Sequence, residues 1–172
     1  GTVAARYSFI HALYQEVFYQ RLTPNRRKGL HLRIGERMEA AFGGGTEEIA
    51  AQLALHFERG KDYPLAIKYS LLAGQQGAQR SANPEAVDHL RKGLELIPHL
   101  EQSVERADQE LSLLAQLGPV LIATQGYGAA ETAHCFGRAR ELTGQAADSP
   151  HMFPVLYGSW VIKLTWAQFQ TA

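Results

Sequence analysis

The sequence has little cysteine and no long apolar run. Cys135 is the single cysteine among 172 residues, which excludes an internal disulfide framework and fits a reducing cytoplasm. Lys163 interrupts the longest apolar candidate, so no stretch of about 18 apolar residues is left to cross a bilayer. Neither a signal peptide nor an initiator methionine opens the chain. We predict a cytoplasmic protein without a membrane partner, and we expect the chain to be a piece of a longer protein, trimmed on both sides.

The sequence also lacks an excess of charge of either sign. Seventeen Lys and Arg balance seventeen Asp and Glu, so net charge makes neither nucleic acid nor a membrane an obligatory partner. The charge is nevertheless segregated, since residues 21–37 hold six Lys and Arg against the single acid Glu36. Such a strip is typical of a solvated helix face. The alternative is a basic docking surface, whose members would be Arg26, Arg27, Lys28 and Arg33.

Motifs of nucleotide and metal chemistry are missing as well. There is no GxxxxGK[ST] loop and no glycine-rich dinucleotide turn, and the three glycines at 43–45 are not followed by Lys-Ser or Lys-Thr. The histidines at helical positions lack the i,i+4 pairing or nearby thiols that a zinc site needs: His31, His56, His89 and His99. No nucleophile, base and orienting group can be assembled from the spacing. We expect no catalytic residue, no cofactor and no metal in this chain.

The stretch from Asp62 to Pro98 contains two helical patterns joined by a turn. In the first pattern apolar and small residues recur at spacings of three and four, which is typical of a helix with one buried face. Asp62 is its predicted cap. After a break at residues 81–84 a second helix is predicted, with Asn83 as cap and Pro84 as first helical residue. Pro98 ends it.

This unit resembles a tetratricopeptide (TPR) repeat. The residues that carry the resemblance occupy the small, bulky, small and proline positions of its consensus, together with its glycine: Ala86, Leu90, Gly93, Pro98 and Gly74. The consensus Trp is absent. Such units bury their apolar faces only by stacking on neighbours. The resemblance implies an all-α fold, a TPR-like α-solenoid of stacked antiparallel helical hairpins.

Further elements are predicted before this unit. Residues 3–10 alternate as in a short strand, which leads into a helix at His11 with Leu13, Val17, Phe18 and Leu22 as its apolar stripe. Thr23 and Pro24 begin a second helix, the glycines at 43–45 end it, and Thr46 begins a third. Apolar spacing predicts the buried face of the second helix at Leu30, Ile34, Met38 and Phe42.

Three more helical patterns follow the unit. One starts near Glu101 and should be kinked or split at Gly118-Pro119. Another runs from Ala129 to Leu142, and the last is capped by Ser149-Pro150. Because the last pattern is apolar on nearly all sides, we expect it to pack between two neighbours, of which the second would be the next helix of the stack.

Two longer strings carry a more specific resemblance. The string YSFIHALYQEVFYQRLTPNRRKGLHLRIGERME resembles the end of the winged-helix domain in STAND-type signalling ATPases of the AAA class. The string that begins LALHFERGKDYPLAIKYSLLAG and ends FPVLYGSW resembles the TPR-like region of large bacterial proteins in which a class III adenylate/guanylate cyclase, kinase or regulatory domain is joined to an ATPase module. The resemblance covers essentially the whole chain. It implies a C-terminal part of a winged-helix-like domain at residues 1–45 and TPR-like repeats, truncated at the C-terminus, at residues 46–172.

His11 is the one candidate for a nucleotide contact. In FIHALYQEV it is similar to the winged-helix histidine of STAND proteins, including the Met-His-Asp motif of plant disease-resistance receptors, although Ala12 replaces the Asp. The resemblance implies that His11 senses an ADP or ATP phosphate in the parent protein. An imidazole at a strand-helix junction can donate to a phosphate oxygen. The alternative is a helix-start residue that is satisfied by backbone groups.

The resemblance implies a non-catalytic protein–protein interaction and signal-relay module. The expected partners are a protein or peptide in the repeat groove and an adjacent N-terminal ATPase domain in the same chain, with ATP or ADP bound by the parent and not by this part. Groove residues would come from the inner helices: Lys68, Gln75, Gln79 and Gln116. The alternative is part of a LuxR-type transcriptional regulator, or nucleic-acid binding through the basic winged-helix remnant.

Overall fold

The described part of the chain is all-helical. The computed structural model describes residues 12–143 and 152–170, and within these ranges no strand is present. The predicted strand at residues 3–10 lies outside the described residues. Eight α-helices are described: α1 (Ala12–Arg21), α2 (Pro24–Phe42), α3 (Ala50–Gly60), α4 (Tyr63–Gln79), α5 (Asn83–Leu96), α6 (Val104–Gln125), α7 (Ala130–Thr143) and α8 (Met152–Gln170). Short 3₁₀ segments at Gly43–Ile49 and Ile97–His99 follow α2 and α5.

Local capping chemistry explains several of the helix starts. The Asp62 carboxylate accepts a hydrogen bond from the backbone N–H of Leu65 at 3.2 Å, which confirms Asp62 as the cap of α4. The Ser103 hydroxyl caps α6 in the same way, through the N–H of Arg106 at 3.2 Å. Thr23 precedes Pro24, the first residue of α2, as predicted.

Two predicted starts are wrong by a few residues. The glycines at 43–45 do end α2, with Gly43 at φ 48°, but residues 43–49 then form a 3₁₀ turn and α3 begins at Ala50 instead of Thr46. The predicted cap Asn83 is already helical, and Ala82 stands at the cap without a side-chain bond. A 3₁₀ turn before a regular α-helix and a shift of one residue at a helix start are both common variations at helix ends.

The helices pack in chain order. From α2 onward each helix contacts the next one, and α4 also contacts α6, which in turn contacts α8. One continuous cluster of buried residues runs through these contacts, from Ile49 and Leu53 on the early helices to Leu142 and Val155 on the late ones. Consecutive helices therefore share their apolar faces along the described chain.

In the pairs α2–α3, α4–α5 and α6–α7 a glycine of the first helix lies opposite a bulky side chain of the second, as Gly93 of α5 also does opposite Leu113 of α6. A Cβ built on Gly35 would stand 3.0 Å from the Phe57 ring, one on Gly74 2.5 Å from Leu90 Cγ, and one on Gly118 2.6 Å from the Phe136 ring. The residue four positions before each bulky residue is also fully buried. These residues are Leu53, Ala86 and Thr132. The pairs α2–α3, α4–α5 and α6–α7 thus share one packing register, in which the missing side chain lets the helices approach closely.

The buried faces of α1 and α2 differ from the prediction. On α1, Val17 and Phe18 are 49% and 57% exposed. On α2 the buried residues are His31 and Gly35, whereas Ile34 and Phe42 are largely exposed. The prediction counted apolar side chains only. The Phe57 ring packs so close to the α2 backbone that the residue facing it must lack a side chain. Gly35 meets this requirement, so the inner face of α2 is the one that contains Gly35.

Proline does not split α6. The helix continues through Pro119 to Gln125, so of the predicted kink or split the split is wrong, and the kink stays a prediction. Leu117, Val120 and Leu121 are buried on either side of the proline. Packing of both halves in one core offsets the backbone hydrogen bond that proline cannot donate.

The last helix, α8, packs on one side only within the described residues. Val155 and Ile162 are buried, whereas Leu156, Tyr157, Trp160 and Leu164 are 45–59% exposed. The second neighbour expected for this helix stays a prediction. Although α8 is apolar, none of the described helices has the length and apolarity needed to traverse a membrane.

Candidate interaction site

The predicted basic docking surface lies on α2. Arg26, Lys28 and Arg33 are exposed, and none of the three has a carboxylate within ion-pair distance in the described part of the chain. Arg27 differs from them. Its Nε donates to the carbonyl of Leu22 at 3.0 Å, and its guanidinium lies 5.1 Å from the centroid of the Tyr19 ring. Arg27 therefore fixes the α1–α2 connection. His11, the predicted nucleotide contact, lies outside the described residues.

Three of the four predicted groove residues share α4, and Gln116 lies on α6. Lys68 and Gln79 are exposed, whereas Gln75 and Gln116 are half-buried. Lys68 Nζ lies 3.7 Å from the Glu39 carboxylate of α2. Among the described residues no hydrogen bond joins Gln116 to the three residues of α4.

Tyr69 connects α4 to α2 beneath this face. Its ring is buried and stacks on Phe57 with centroids 5.6 Å apart, and its hydroxyl donates to the Glu39 carboxylate. Burial, followed by the contact with Glu39, raises the pKa of Tyr69 to about 12. The hydroxyl therefore stays protonated and acts as a donor throughout the neutral range.

A groove opens between α5 and α7, with α6 behind it. Its volume is 590 Å³. Its apolar lining comes from all of these helices and the segment after α5: Leu94, Ile97, Pro98, Leu114, Leu117 and Cys135. Its polar lining carries both signs: Arg91, Glu95, Arg106, Glu110, Glu131, His134 and Arg138. An apolar groove of this size with a few oriented polar groups is the usual form of a binding site.

Ion pairs hold the rim of this groove. Arg91 of α5 binds Glu131 of α7 through two bonds of 2.8 and 2.7 Å. Arg138 binds Glu110 of α6 through two bonds of 2.6 and 3.1 Å. Hydrogen bonds from Gln125 and Arg91 lower the pKa of Glu131, so the α5–α7 bridge keeps its negative partner to a lower pH than an ordinary glutamate would.

Arg106 differs from the other two arginines of the groove. Its Nη1 donates to the carbonyl of Leu100 at 3.2 Å, and within the described ranges no carboxylate lies in ion-pair distance of its guanidinium. The guanidinium carries further N–H donors beyond the one used here. Arg106 thus offers a positive charge to an incoming group, whereas the other two arginines of the lining are paired with glutamates.

Cys135 packs in the core. Its side chain is 3% exposed, and its thiol donates to the carbonyl of Leu114 at 3.5 Å. Burial, with a smaller contribution from Glu131, raises the pKa of the Cys135 thiol to about 12. A thiol held in this form is a poor nucleophile.

His31 and His56, which helical spacing does not pair, lie in contact in the structure. His31 Nδ1 lies 2.9 Å from His56 Nδ1, and the Tyr19 hydroxyl lies 3.0 Å from His31 Nε2. A signal in the sequence could have found the pair. His31 lies four residues before Gly35, and His56 lies one residue before Phe57. In the α6–α7 pair the residues at the same two positions, relative to Gly118 and Phe136, are Leu114 and Cys135. Leu114 and Cys135 are also in contact with each other. No group of three or more candidate metal ligands occurs in residues 12–143 and 152–170.

The comparisons with known proteins give one distant relative. No protein-family model matches the chain, and no solved structure matches it significantly. The chain is similar to an uncharacterized protein of Rhizobium meliloti (strain 1021). Identity is 28% over 157 residues, which cover 90% of this chain and 15% of the relative. The chain therefore spans about a seventh of the length of this relative.

Proposed function

We propose that this chain is a non-catalytic protein–protein interaction and signal-relay module of a larger multidomain signalling ATPase. Its architecture is a TPR-like α-solenoid. The shared register of Gly35, Gly74 and Gly118 supports this architecture, because stacked hairpins repeat the same close contact in each unit. Packing of each helix on the next, and of α4 on α6 and α6 on α8, supports it as well.

The observation that carries the proposal is the groove between α5 and α7. Its floor combines Leu94, Leu114 and Leu117, and ion pairs brace its rim. Apolar side chains of a bound segment gain free energy by leaving water for such a floor. Arg106 adds a positive charge without a carboxylate partner in the described chain, so the matching segment carries an acidic residue beside its apolar ones.

The relay part of the proposal concerns the longer protein. An ATPase domain N-terminal to this chain would bind ATP or ADP, with His11 as the candidate phosphate contact, and this chain would bind none itself. The length of the Rhizobium meliloti relative is consistent with additional domains around a chain of this size. A partner bound in the groove would change the packing of α5, α6 and α7. Because each helix contacts the next one, this change could reach α2 through α4 and α3.

Selection of peptides from a random library against the purified chain tests the interaction. We expect enriched peptides to carry apolar residues and one acidic residue. Arg106→Glu should weaken their binding at least tenfold by calorimetry. The matched control is Arg80→Glu, which makes the same charge change at an exposed residue at the end of α4. Selected peptides that bind the wild type, Arg106→Glu and Arg80→Glu equally would contradict the groove as the binding site.

Nucleic-acid binding, as in a LuxR-type regulator, is the second candidate. The observation in its favour is the set of exposed cations on α2, Arg26, Lys28 and Arg33, which no carboxylate of the described chain neutralises. Binding driven by phosphates weakens steeply as salt rises. A duplex DNA titration at 20–200 mM salt should show that steep decline. Absence of measurable affinity at the lowest salt would dismiss this candidate.

A further inference from the structure

Three side chains from three helices form one hydrogen-bonded chain. Tyr19 belongs to α1, His31 to α2 and His56 to α3. The Tyr19 hydroxyl lies 3.0 Å from His31 Nε2, and the two Nδ1 atoms lie 2.9 Å apart. His31 is 7% exposed, so water cannot readily replace its partners. The two imidazole centroids are 5.1 Å apart at 41°, and the Tyr19 ring meets His31 edge-on.

The short Nδ1–Nδ1 distance restricts how many protons the two imidazoles hold. A hydrogen bond between two ring nitrogens needs one N–H donor and one bare acceptor. If Tyr19 donates to His31 Nε2, then His31 Nδ1–H donates to His56 Nδ1. If His56 carries the extra proton, its Nδ1–H donates to His31, and His31 Nε2–H donates to the Tyr19 oxygen. Both arrangements satisfy every member of the chain.

A second added proton has no place in this geometry. Each doubly protonated ring carries N–H at both nitrogens, so two Nδ1–H groups would face each other at 2.9 Å without an acceptor. The two rings would also repel as cations.

We infer that Tyr19, His31 and His56 form a proton-responsive link, which fastens α1, α2 and α3 together while the two imidazoles share at most one added proton and opens when both rings become cationic. This inference does not rest on what binds in the groove between α5 and α7. Its consequence is that the packing of the first three described helices loosens in mildly acidic solution.

The other charges around the link point in the same direction. Arg59 of α3 adds positive potential at both imidazoles, and Arg27 of α2 lies over the Tyr19 ring. Within the described chain no carboxylate forms an ion pair with either histidine. Burial first, then the neighbouring His56 and Arg59, lower the pKa of His31, and burial followed by Arg59 lowers the pKa of His56. The unfolded chain therefore binds more protons than the folded one below pH 6.5, and stability falls as pH falls.

Urea unfolding of the chain between pH 5 and pH 8 tests the link. The unfolding equilibrium constant of the wild type should be nearly constant above pH 6.5. Below that pH it should rise by as much as tenfold per pH unit for each proton that the folded state excludes. The His56→Asn side chain retains an acceptor near the position of Nδ1 but cannot become cationic. The logarithm of its unfolding equilibrium constant should therefore rise, over the same pH range, by no more than half as much as that of the wild type. His89→Asn on α5 is the matched control and should keep the wild-type pH dependence. Equal pH dependence in the wild type and His56→Asn would overturn the link.

A second measurement uses the wild type alone, so it does not depend on the variant folding. Nitrogen-15 NMR of the imidazoles at pH 7.5 should show one Nδ1 protonated and the other bare, and the two rings should titrate in two separated steps. Amides of α1 should exchange with solvent faster at pH 5 than at pH 7.5, by about tenfold after correction for intrinsic rates. Two histidines that titrate independently at their ordinary value, or unchanged protection of α1, would contradict the inference.

Discussion

Gly74 of α4 packs against Leu90 of α5 so closely that a Cβ added at Gly74 would stand 2.5 Å from Leu90 Cγ. Leu90 is fully buried, and its Cγ is close to the backbone, so it has little room to move away. The same relationship joins Gly35 to Phe57 and Gly118 to Phe136. Close approach of paired helices at a glycine is thus the repeated structural device of this chain.

Gly74→Ala should destabilise the fold. Overpacking at a rigid contact costs about 1–3 kcal/mol, from which the better helix propensity of alanine recovers up to about 1 kcal/mol. A net loss of up to about 2 kcal/mol in the free energy of unfolding, measured in urea, is expected. Gly137→Ala on α7 is the matched control, because nothing lies within 4 Å of its added Cβ, and it should stabilise the chain slightly. Equal effects of the two substitutions would refute the packing role of Gly74.

Tyr69→Phe should separate the contribution of the Tyr69 hydroxyl to stability from that of the ring. The ring contact with Phe57 remains, while the bond to the Glu39 carboxylate is lost. A cost of about 1.5 kcal/mol is expected, since the acceptor is charged. The double-mutant cycle with Glu39→Gln measures the coupling directly. A coupling energy near zero would show that the bond does not contribute to the α2–α4 contact.

Alkaline titration gives a second prediction for Tyr69. Its pKa is about 12 in the folded chain against an ordinary value of 10, so above pH 10 the unfolded chain binds fewer protons than the folded one. Stability should therefore fall as pH rises from 10 toward 12, and Tyr69→Phe should show a weaker decline. Stability curves of the two proteins that run parallel over this range would contradict the shifted pKa.

The two carboxylates that bind Arg138 should differ in their importance. The Glu110 side chain is 13% exposed and receives two bonds, whereas Glu141 is 66% exposed and receives one of 3.2 Å. Glu110→Gln should cost about 1 kcal/mol, and Glu141→Gln should stay within about 0.5 kcal/mol of the wild type. Thermal unfolding at two salt concentrations checks both. A larger effect at Glu141 would show that burial does not decide between the two pairs.

Cys135 should report opening of the core. Its thiol is 3% exposed with a pKa of about 12, so a thiol reagent at pH 8 should react far more slowly with the folded chain than with the chain in urea. The reaction rate should follow the unfolding equilibrium constant across the glycine and tyrosine variants. Rapid labelling of the folded protein would mean that the groove admits the reagent to Cys135 directly.

Local chemistry in the sequence predicted the helix ends better than the helix faces. Asp62, Pro24 and the glycines at 43–45 act on their own neighbours along the chain, so their effects could be inferred without the fold. The inner face of α2 could not be inferred in this way. A count of apolar residues favours Ile34, which is 40% exposed, because only the partner ring of Phe57 makes Gly35 an inner residue.

The candidate groove depends even more on tertiary structure. Its lining comes from α5, α6, α7 and the segment after α5, and no spacing within one helix shows that Arg106 would face Leu94 and Cys135 across it. The histidine link occupies an intermediate position. Alignment of the hairpins on Gly35 and Gly118 places His31 and His56 at the positions of Leu114 and Cys135, so the repeat register predicts the contact, whereas helical spacing around each histidine does not.

The most direct test of the proposed function is an NMR titration of the nitrogen-15-labelled chain with a peptide selected for binding. The largest chemical-shift changes should fall on the groove residues of α5, α6 and α7, with Leu94, Arg106 and His134 among them. These changes should disappear in Arg106→Glu at the same peptide concentration. Changes confined to Lys68, Gln75, Gln79 and Gln116 would move the binding face to α4 and α6. Failure of any peptide to shift the spectrum at millimolar concentration would contradict the interaction module itself.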